Sequence, residues 1–196
     1  MKIKSNDKPR VLIDLDGVIR DFIKGLKIVY LQKYPNHTVS EIVSRDLENY
    51  FPIGKKINDF IFSDYFEEIS SESPPYPGSV ETLKKWEEMF QIVIVTSQYP
   101  HWRYSTFNWI GKHCLPTNEI HISFEKYKID GYALLDDFTE NLEGFANTGR
   151  LAVCLDQPWN QEWDGARVQN IDKFFQLIQV NINSNLEMNK GGFNNG

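Results

Sequence analysis

The rhythm of apolar and polar positions changes several times along this chain, and each rhythm predicts an element. Residues 10–15 (RVLIDL) form a short apolar run that closes on Asp16-Gly17, the turn chemistry expected after a buried strand. From 18 to 34 apolar residues recur every three or four positions (Ile19, Phe22, Ile23, Leu26, Val29, Tyr30), which predicts a helix stopped by Pro35-Asn36. A short helix is expected within 38–53. Another follows over 55–69 through Ile61, Phe62, Tyr65, Phe66 and Ile69, and the Ser/Pro/Gly-rich stretch 70–78 reads as a linker.

Beyond residue 78 the pattern settles into alternation. Apolar runs at 91–95, 119–123, 132–135 and 151–155 predict strands, the first of them without polar alternation and so buried on both faces. Between and after them lie helical patterns at 79–90 (with Ser79 as N-cap), 101–113, from Thr139 as cap to Gly149, and 171–182. Strands alternating with helices predict an α/β protein: a three-layer, Rossmann-like parallel sheet covered by helices on both faces. The helical block 20–75 interrupts this alternation directly after the first strand and reads as a small inserted cap. The core is then 1–19 plus 76–185, and 186–196 is expected to be a disordered tail. No internal repeat is evident.

Composition narrows the function classes. The 196 residues are 41% hydrophobic, enough for a sizeable core, and carry a net charge of −6, which disfavours a nucleic-acid polymer or a membrane surface as partner. It leaves room for one small phosphorylated substrate held locally. No apolar run approaches the ~20 residues needed to span a bilayer, and MKIKSNDKPR lacks the apolar stretch of a secretory signal. Cys114 and Cys154 form no CxxC pair and fit free thiols in a reducing cytoplasm. Self-association is left open.

The chemistry lies in where polar residues fall. Strand one ends in Asp14-Leu-Asp16-Gly17-Val18, strand two in Thr96-Ser97, and strand four in Asp136-Asp137. Lys126 and Lys128 lie between the third and fourth strands. In a parallel sheet these ends share one rim, where ligands bind. Each feature alone has an ordinary explanation as turn, helix-terminal acid, cap or solvated surface. Their joint occurrence at successive strand ends is far harder to explain that way. Crowded carboxylates repel, and a hard divalent cation such as Mg2+ relieves that conflict while leaving room for a phosphate. Asp14 could then attack phosphorus, giving an aspartyl-phosphate. Asp16 could protonate the leaving alkoxide and later deprotonate the attacking water. Thr96 or Ser97, with one lysine, would stabilise the phosphoryl oxygens.

This ordered set of motifs resembles the haloacid dehalogenase (HAD) superfamily of phosphohydrolases, with the pattern spanning 11–137 and the fold-level match reaching about 182. The second aspartate, Asp16, favours phosphoryl chemistry over carbon–halogen cleavage. Within the superfamily the chain is similar to the 5′(3′)-deoxyribonucleotidase group of cytosolic 5′-nucleotidases. The residues are the stretch Asp14 to Phe22, the short helical block after strand one, Pro77-Gly78, Thr96-Ser97, Leu135-Asp136-Asp137 with Asn141, and Asp156 to Asn160 (DQPWN). The resemblance implies a Mg2+-dependent phosphomonoesterase acting on nucleoside monophosphates, with Asp14 as nucleophile and Asp16 as acid/base. It also implies Lys126 rather than Lys128 on the phosphate. Magnesium would be held by Asp14, the Asp16 backbone carbonyl and an aspartate of the pair Asp136/Asp137. The segment 98–103 (QYPHWR) departs from the animal enzymes of that group and leaves nucleotide preference open.

Ten aromatics fall between residues 22 and 76. Most are expected in the core of the cap, while Tyr50 and Phe51, beside Pro52, are the better candidates for stacking on a nucleobase. Trp86 and Trp109 are expected in the core, and Trp159 could flank the site. His37, His101, His113 and His121 lack metal-ligand spacing. Two other readings remain: a HAD phosphatase on a non-nucleotide ester, and a non-catalytic phosphate-binding module. Phosphate-receiver domains gather similar residues, but they place the acid pair on strand one and carry no cap.

Overall fold

The computed structural model describes residues 8–191, with side chains to residue 184. The apolar runs become parallel strands β1 (Arg10–Ile13), β2 (Gln91–Thr96), β3 (Glu119–Ile122), β4 (Ala133–Asp136) and β5 (Leu151–Leu155), joined by a further strand β6 (Ala166–Val168). The sheet order is β3-β2-β1-β4-β5-β6. β1 is central: Ile13 is in register with Ile94 of β2 on one side and with Leu135 of β4 on the other. The chain steps outward from β1 through β2 to β3, then returns to the other side of β1 at β4. The crevice beyond the carboxyl end of β1 is therefore a topological switch point.

Alternate residues of each central strand feed opposite faces, which is why these runs show no polar alternation. Val11, Ile13, Ile92, Ile94 and Leu135 pack with Trp86, Trp109 and Phe174 on one face. Leu12, Val93, Val95, Leu134 and Cys154 pack with Leu142 and Phe145 on the other. The helices supplying those residues are α4 (Ser79–Trp86), α5 (Arg103–Lys112) and α7 (Ile171–Gly191) on the first face and α6 (Thr139–Ala146) on the second. This makes the three layers read from the sequence.

Between β1 and β2 lie α1 (Phe22–Lys33), α2 (Lys56–Asp59) and α3 (Phe66–Glu72). They enclose their own apolar cluster, built on Leu26, Val29, Tyr30, Phe51, Ile57, Phe60 and Ile69.

Several boundaries differ from the expectations. The first helix begins at Phe22, with Asp21 accepting from the Lys24 backbone N–H (2.9 Å), because residues 14–20 are used by a tight loop. The helix expected over 55–69 is split by a π-type turn at Phe60–Asp64, and the region 38–53 holds only a 3₁₀ turn at Leu47–Asn49. α3 runs to Glu72, so the linker is shorter than 70–78. Ser79 and Thr139 are first helical residues rather than caps. Gly78, in the left-handed region, precedes Ser79, and the Phe138 N–H is bound by Asp136 instead. α7 continues to Gly191, past residue 182, so the tail expected over 186–196 is helical to that point; residues 192–196 lie outside the described residues. Among the described residues no helix is long and apolar enough to cross a membrane.

Candidate active site

Asp14 follows the last residue of β1, and its backbone N–H donates to the Leu135 carbonyl (2.9 Å). This pins it beside the end of β4, where Asp136 is the last strand residue and Asp137 the next. Carboxylate oxygens of Asp14, Asp136 and Asp137 lie within 4.8 Å of one another, and all three residues are buried. Lys126, on a 3₁₀ turn between β3 and β4, is 1% exposed and reaches both Asp14 Oδ1 and Asp136 Oδ2 at 2.7 Å. Lys128 instead pairs with Glu125 at the surface (2.7 Å). Of the two lysines, Lys126 is the one the fold brings to the acid cluster.

The aspartates are not equivalent. Asp136 is saturated: Oδ2 accepts from Lys126 and from Asn141 (3.1 Å), and Oδ1 accepts from the Phe138 N–H (2.9 Å) and again from Asn141 (3.3 Å). Among the described residues the Asp137 carboxylate is held through Oδ2, by the Trp159 indole N–H (2.8 Å) and Arg45 (3.3 Å), while its carbonyl accepts from Asn160 (3.0 Å). Burial drives the Asp14 carboxyl well above the ordinary carboxylate range; Lys126 opposes the shift, and Asp136 and Asp137 reinforce it. Burial likewise pushes Asp137 up to about 6, opposed by Arg45 and reinforced by Asp136. Lys126 is desolvated too, but Asp136 and Asp14 outweigh that penalty and raise its pKa.

Gly17 makes this packing attainable. Its φ is +81°, and a Cβ there would lie 2.3 Å from Asp137 Oδ2, so any side chain would displace the carboxylate. The loop then carries Asp16 away from the other acids. Its carboxylate accepts from Arg20 Nε (2.5 Å), Arg20 Nη2 (2.8 Å) and Gln98 Nε2 (3.1 Å). As a metal ligand Asp16 could therefore act only through its backbone carbonyl, since its side chain is not part of the acid cluster. Thr96 is buried at the end of β2, and Ser97 Oγ donates to the Ser123 carbonyl (3.2 Å).

These groups open on a cavity of about 850 Å³ between the strand ends and the helical segment. Its walls include Asp14, Asp16, Thr96, Ser97, Lys126 and Asp137, together with Phe22, Phe62, Tyr99, Trp102, Phe124 and Trp159. Trp159 thus flanks the site as expected. Tyr50 and Phe51 do not line it. Phe51 is 2% exposed and packs edge-on against Tyr30 (4.8 Å), and Tyr50 turns its hydroxyl to Ser44 (2.9 Å). The aromatic wall comes instead from Phe22, Phe62 and the segment 98–103, in which Trp102 stacks on Phe62 (5.5 Å) and Phe66 (4.1 Å).

Arg45, Arg20 and Gln98 are site residues that sequence reasoning missed. Only the Asp16/Arg20 spacing of four carried a local signal. Trp86 and Trp109 are core residues, as expected. Among the described residues the histidines join no metal-type cluster, and Cys114 and Cys154 are unpaired.

A three-layer sheet with these strand ends defines the HAD-type hydrolase class, and solved structures agree at the level of fold. A haloacid dehalogenase-like hydrolase, SP0104 from Streptococcus pneumoniae, superposes with TM-score 0.61 at 12% identity, covering 87% of this chain and 98% of that one. The HAD-hydrolase YfnB from Bacillus subtilis, solved bound to magnesium, gives 0.59 at 11% identity, covering 88% and 99%. The family model for "5' nucleotidase, deoxy (Pyrimidine), cytosolic type C protein" matches residues 8–184, and the chain belongs to that family. It is similar to the cytosolic-type 5'(3')-deoxyribonucleotidase of Homo sapiens, 26% identical over 146 residues that make up 65% of this chain and 70% of the relative. The protein is accordingly a HAD-type 5′-nucleotidase, a phosphoric monoester hydrolase, and the non-catalytic reading is set aside.

Proposed function

We propose that the chain is a Mg2+-dependent phosphatase of deoxyribonucleoside monophosphates that works through an aspartyl-phosphate on Asp14, in the cytoplasm. The observation that carries this reading is the meeting of Asp14, Lys126 and Asp137 at the mouth of an aromatic-walled cavity. A divalent cation fits the donor set: three buried carboxylates within 4.8 Å, two of them forced toward their neutral forms. Asp14, Asp137 and the Asp16 carbonyl would hold it. Asp137 is preferred to Asp136 because its Oδ1 accepts no hydrogen bond among the described residues, whereas both Asp136 oxygens are engaged. When bound, the cation supplies positive charge that neutralises these carboxylates and the phosphoryl oxygens.

The chain's own groups do the rest. Asp14 forms a bond to phosphorus as the ester P–O bond breaks. The Asp16 carboxyl gives its proton to the departing 5′ oxygen, then takes one from the water that attacks the phosphoryl-aspartate. Lys126, with two N–H groups on Asp14 and Asp136, keeps a third for a phosphoryl oxygen beside Thr96 and Ser97. The aromatic wall suits a nucleobase, where stacking contributes about 1–3 kcal/mol per base.

Phosphate release from a panel of esters tests the substrate class. Deoxyribonucleoside monophosphates should give the highest kcat/KM, and chelator should abolish it; sugar phosphates turned over faster would shift the assignment to a non-nucleotide ester. Asp137→Asn tests the metal. Because burial lifts Asp137 from 3.8 to about 6, its ionised form opposes folding at pH 7.5. Asparagine should therefore stabilise the metal-free protein by roughly 1–3 kcal/mol, or about 2–12 °C in melting temperature. The same variant should lose the Mg2+-induced rise in melting temperature that the parent shows. An unchanged Mg2+ response would remove Asp137 from the ligand set.

A further inference from the structure

Arg20 is fully buried, and its one ion-pair partner among the described residues is Asp16. The backbone sets up the pair. The Gly17 N–H donates to the Arg20 carbonyl (2.9 Å) and the Arg20 N–H to the Leu15 carbonyl (2.8 Å), so the loop folds back and lays the guanidinium along the carboxylate four residues earlier. Nε and Nη2 grip the two oxygens at 2.5 and 2.8 Å. Trp109 lies 5.4 Å from the guanidinium carbon and is itself fixed by its indole N–H on the Ser73 carbonyl (2.7 Å). The remaining nitrogen, Nη1, is buried with no hydrogen-bond partner among the described residues. From the other side Gln98 donates to Asp16 Oδ2 (3.1 Å), and the Thr106 hydroxyl donates to the Gln98 amide oxygen, fixing which way the amide points.

This is an expensive arrangement for structure alone. Replacing a buried ion pair as a whole by apolar side chains is often neutral or stabilising, so stability does not explain why an arginine with an unpaired N–H is kept here. What the arrangement provides is orientation: a planar fork and an amide hold one carboxyl group, 28% exposed, at the edge of the cavity. We propose that Arg20 and Gln98 are positioning residues that fix the Asp16 carboxyl in line with the leaving oxygen. The inference rests on Asp16 being the proton donor proposed above. An ammonium cannot span two carboxylate oxygens in a plane, so lysine at position 20 would keep the charge and lose the alignment.

The test is a series of aryl phosphates of graded leaving-group pKa, measured as kcat/KM, which reports steps up to breakage of the ester bond. A proton donor matters most for poor leaving groups, so a misaligned donor steepens the dependence on leaving-group pKa. Arg20→Lys should lower kcat/KM on alkyl-like esters about tenfold or more, with a several-fold smaller fall on p-nitrophenyl phosphate. Its slope should thus approach that of Asp16→Asn. Gln98→Leu should steepen the slope in the same direction by less, and it carries the test if Arg20→Lys does not fold. Parallel lines, with an equal fall at every leaving group in both variants while Asp16→Asn steepens, would overturn the positioning role and leave the acid assignment standing. A slope unchanged in Asp16→Asn itself would overturn the acid assignment and the inference with it.

Discussion

Asp14→Asn is expected to lose turnover by at least about 10⁴-fold, the scale on which removal of a nucleophile registers, while remaining folded. The loss follows from position. Asp14 is the acid placed at the end of the central strand, on the cavity wall, with one oxygen on Lys126. An amide in the same place keeps the shape but cannot form the covalent intermediate. The retained fold follows from electrostatics. Burial, with Asp136 and Asp137 nearby, already makes the ionised Asp14 costly, so a neutral isostere relieves strain, and Lys126 keeps Asp136. The melting temperature should stay within about 5 °C of the parent. Phosphate release alongside a melting curve separates the two effects, and an active Asp14→Asn protein would rule out the assigned nucleophile.

Lys126→Met should do the opposite to stability. Lys126 is the buried counter-charge for both Asp14 and Asp136, and its removal leaves carboxylates without a cation in a water-poor site. Breaking a buried pair from one side costs about 3–5 kcal/mol, which for a chain of this size lowers the melting temperature by roughly 10 °C. The pH dependence has a definite sign. Without the lysine, the folded-state pKa of Asp14, already raised, rises further. A carboxyl whose folded pKa exceeds its unfolded value binds more protons when folded, so its contribution to stability falls as pH rises. The deficit of Lys126→Met should therefore be largest near pH 8 and shrink toward pH 5. A deficit independent of pH would mean that Lys126 stabilises the fold by packing of its stem rather than by charge.

The rim of the site was legible because its polar residues close apolar runs. Asp14, Thr96 and Asp136 stand where a buried strand meets the rim, and a parallel sheet puts all such ends on one side. Lys126 was separated from Lys128 only by resemblance, since both sit on the same turn; burial of one and exposure of the other is a tertiary outcome. Arg45 and Gln98 had no local signature, because loops distant in sequence deliver them to Asp137 and Asp16. Phe51, beside Pro52, was a candidate for stacking on a nucleobase, yet the folding of the helical segment turned it inward against Tyr30. β6 escaped notice because it is three residues long with Arg167 at its centre, whose guanidinium binds Asp156 (2.8 Å) and the Asn160 side chain (2.8 Å).

The central claim is that a phosphoryl group passes through Asp14. Mixing the enzyme with Mg2+ and a phosphate-labelled deoxyribonucleoside monophosphate, quenching in acid within one turnover and mapping the peptides tests it most directly. The account predicts label on the peptide containing Asp14, absent when Asp14 is asparagine. Labelled phosphate released with no label on the protein at any quench time, or label on a different residue, would contradict it.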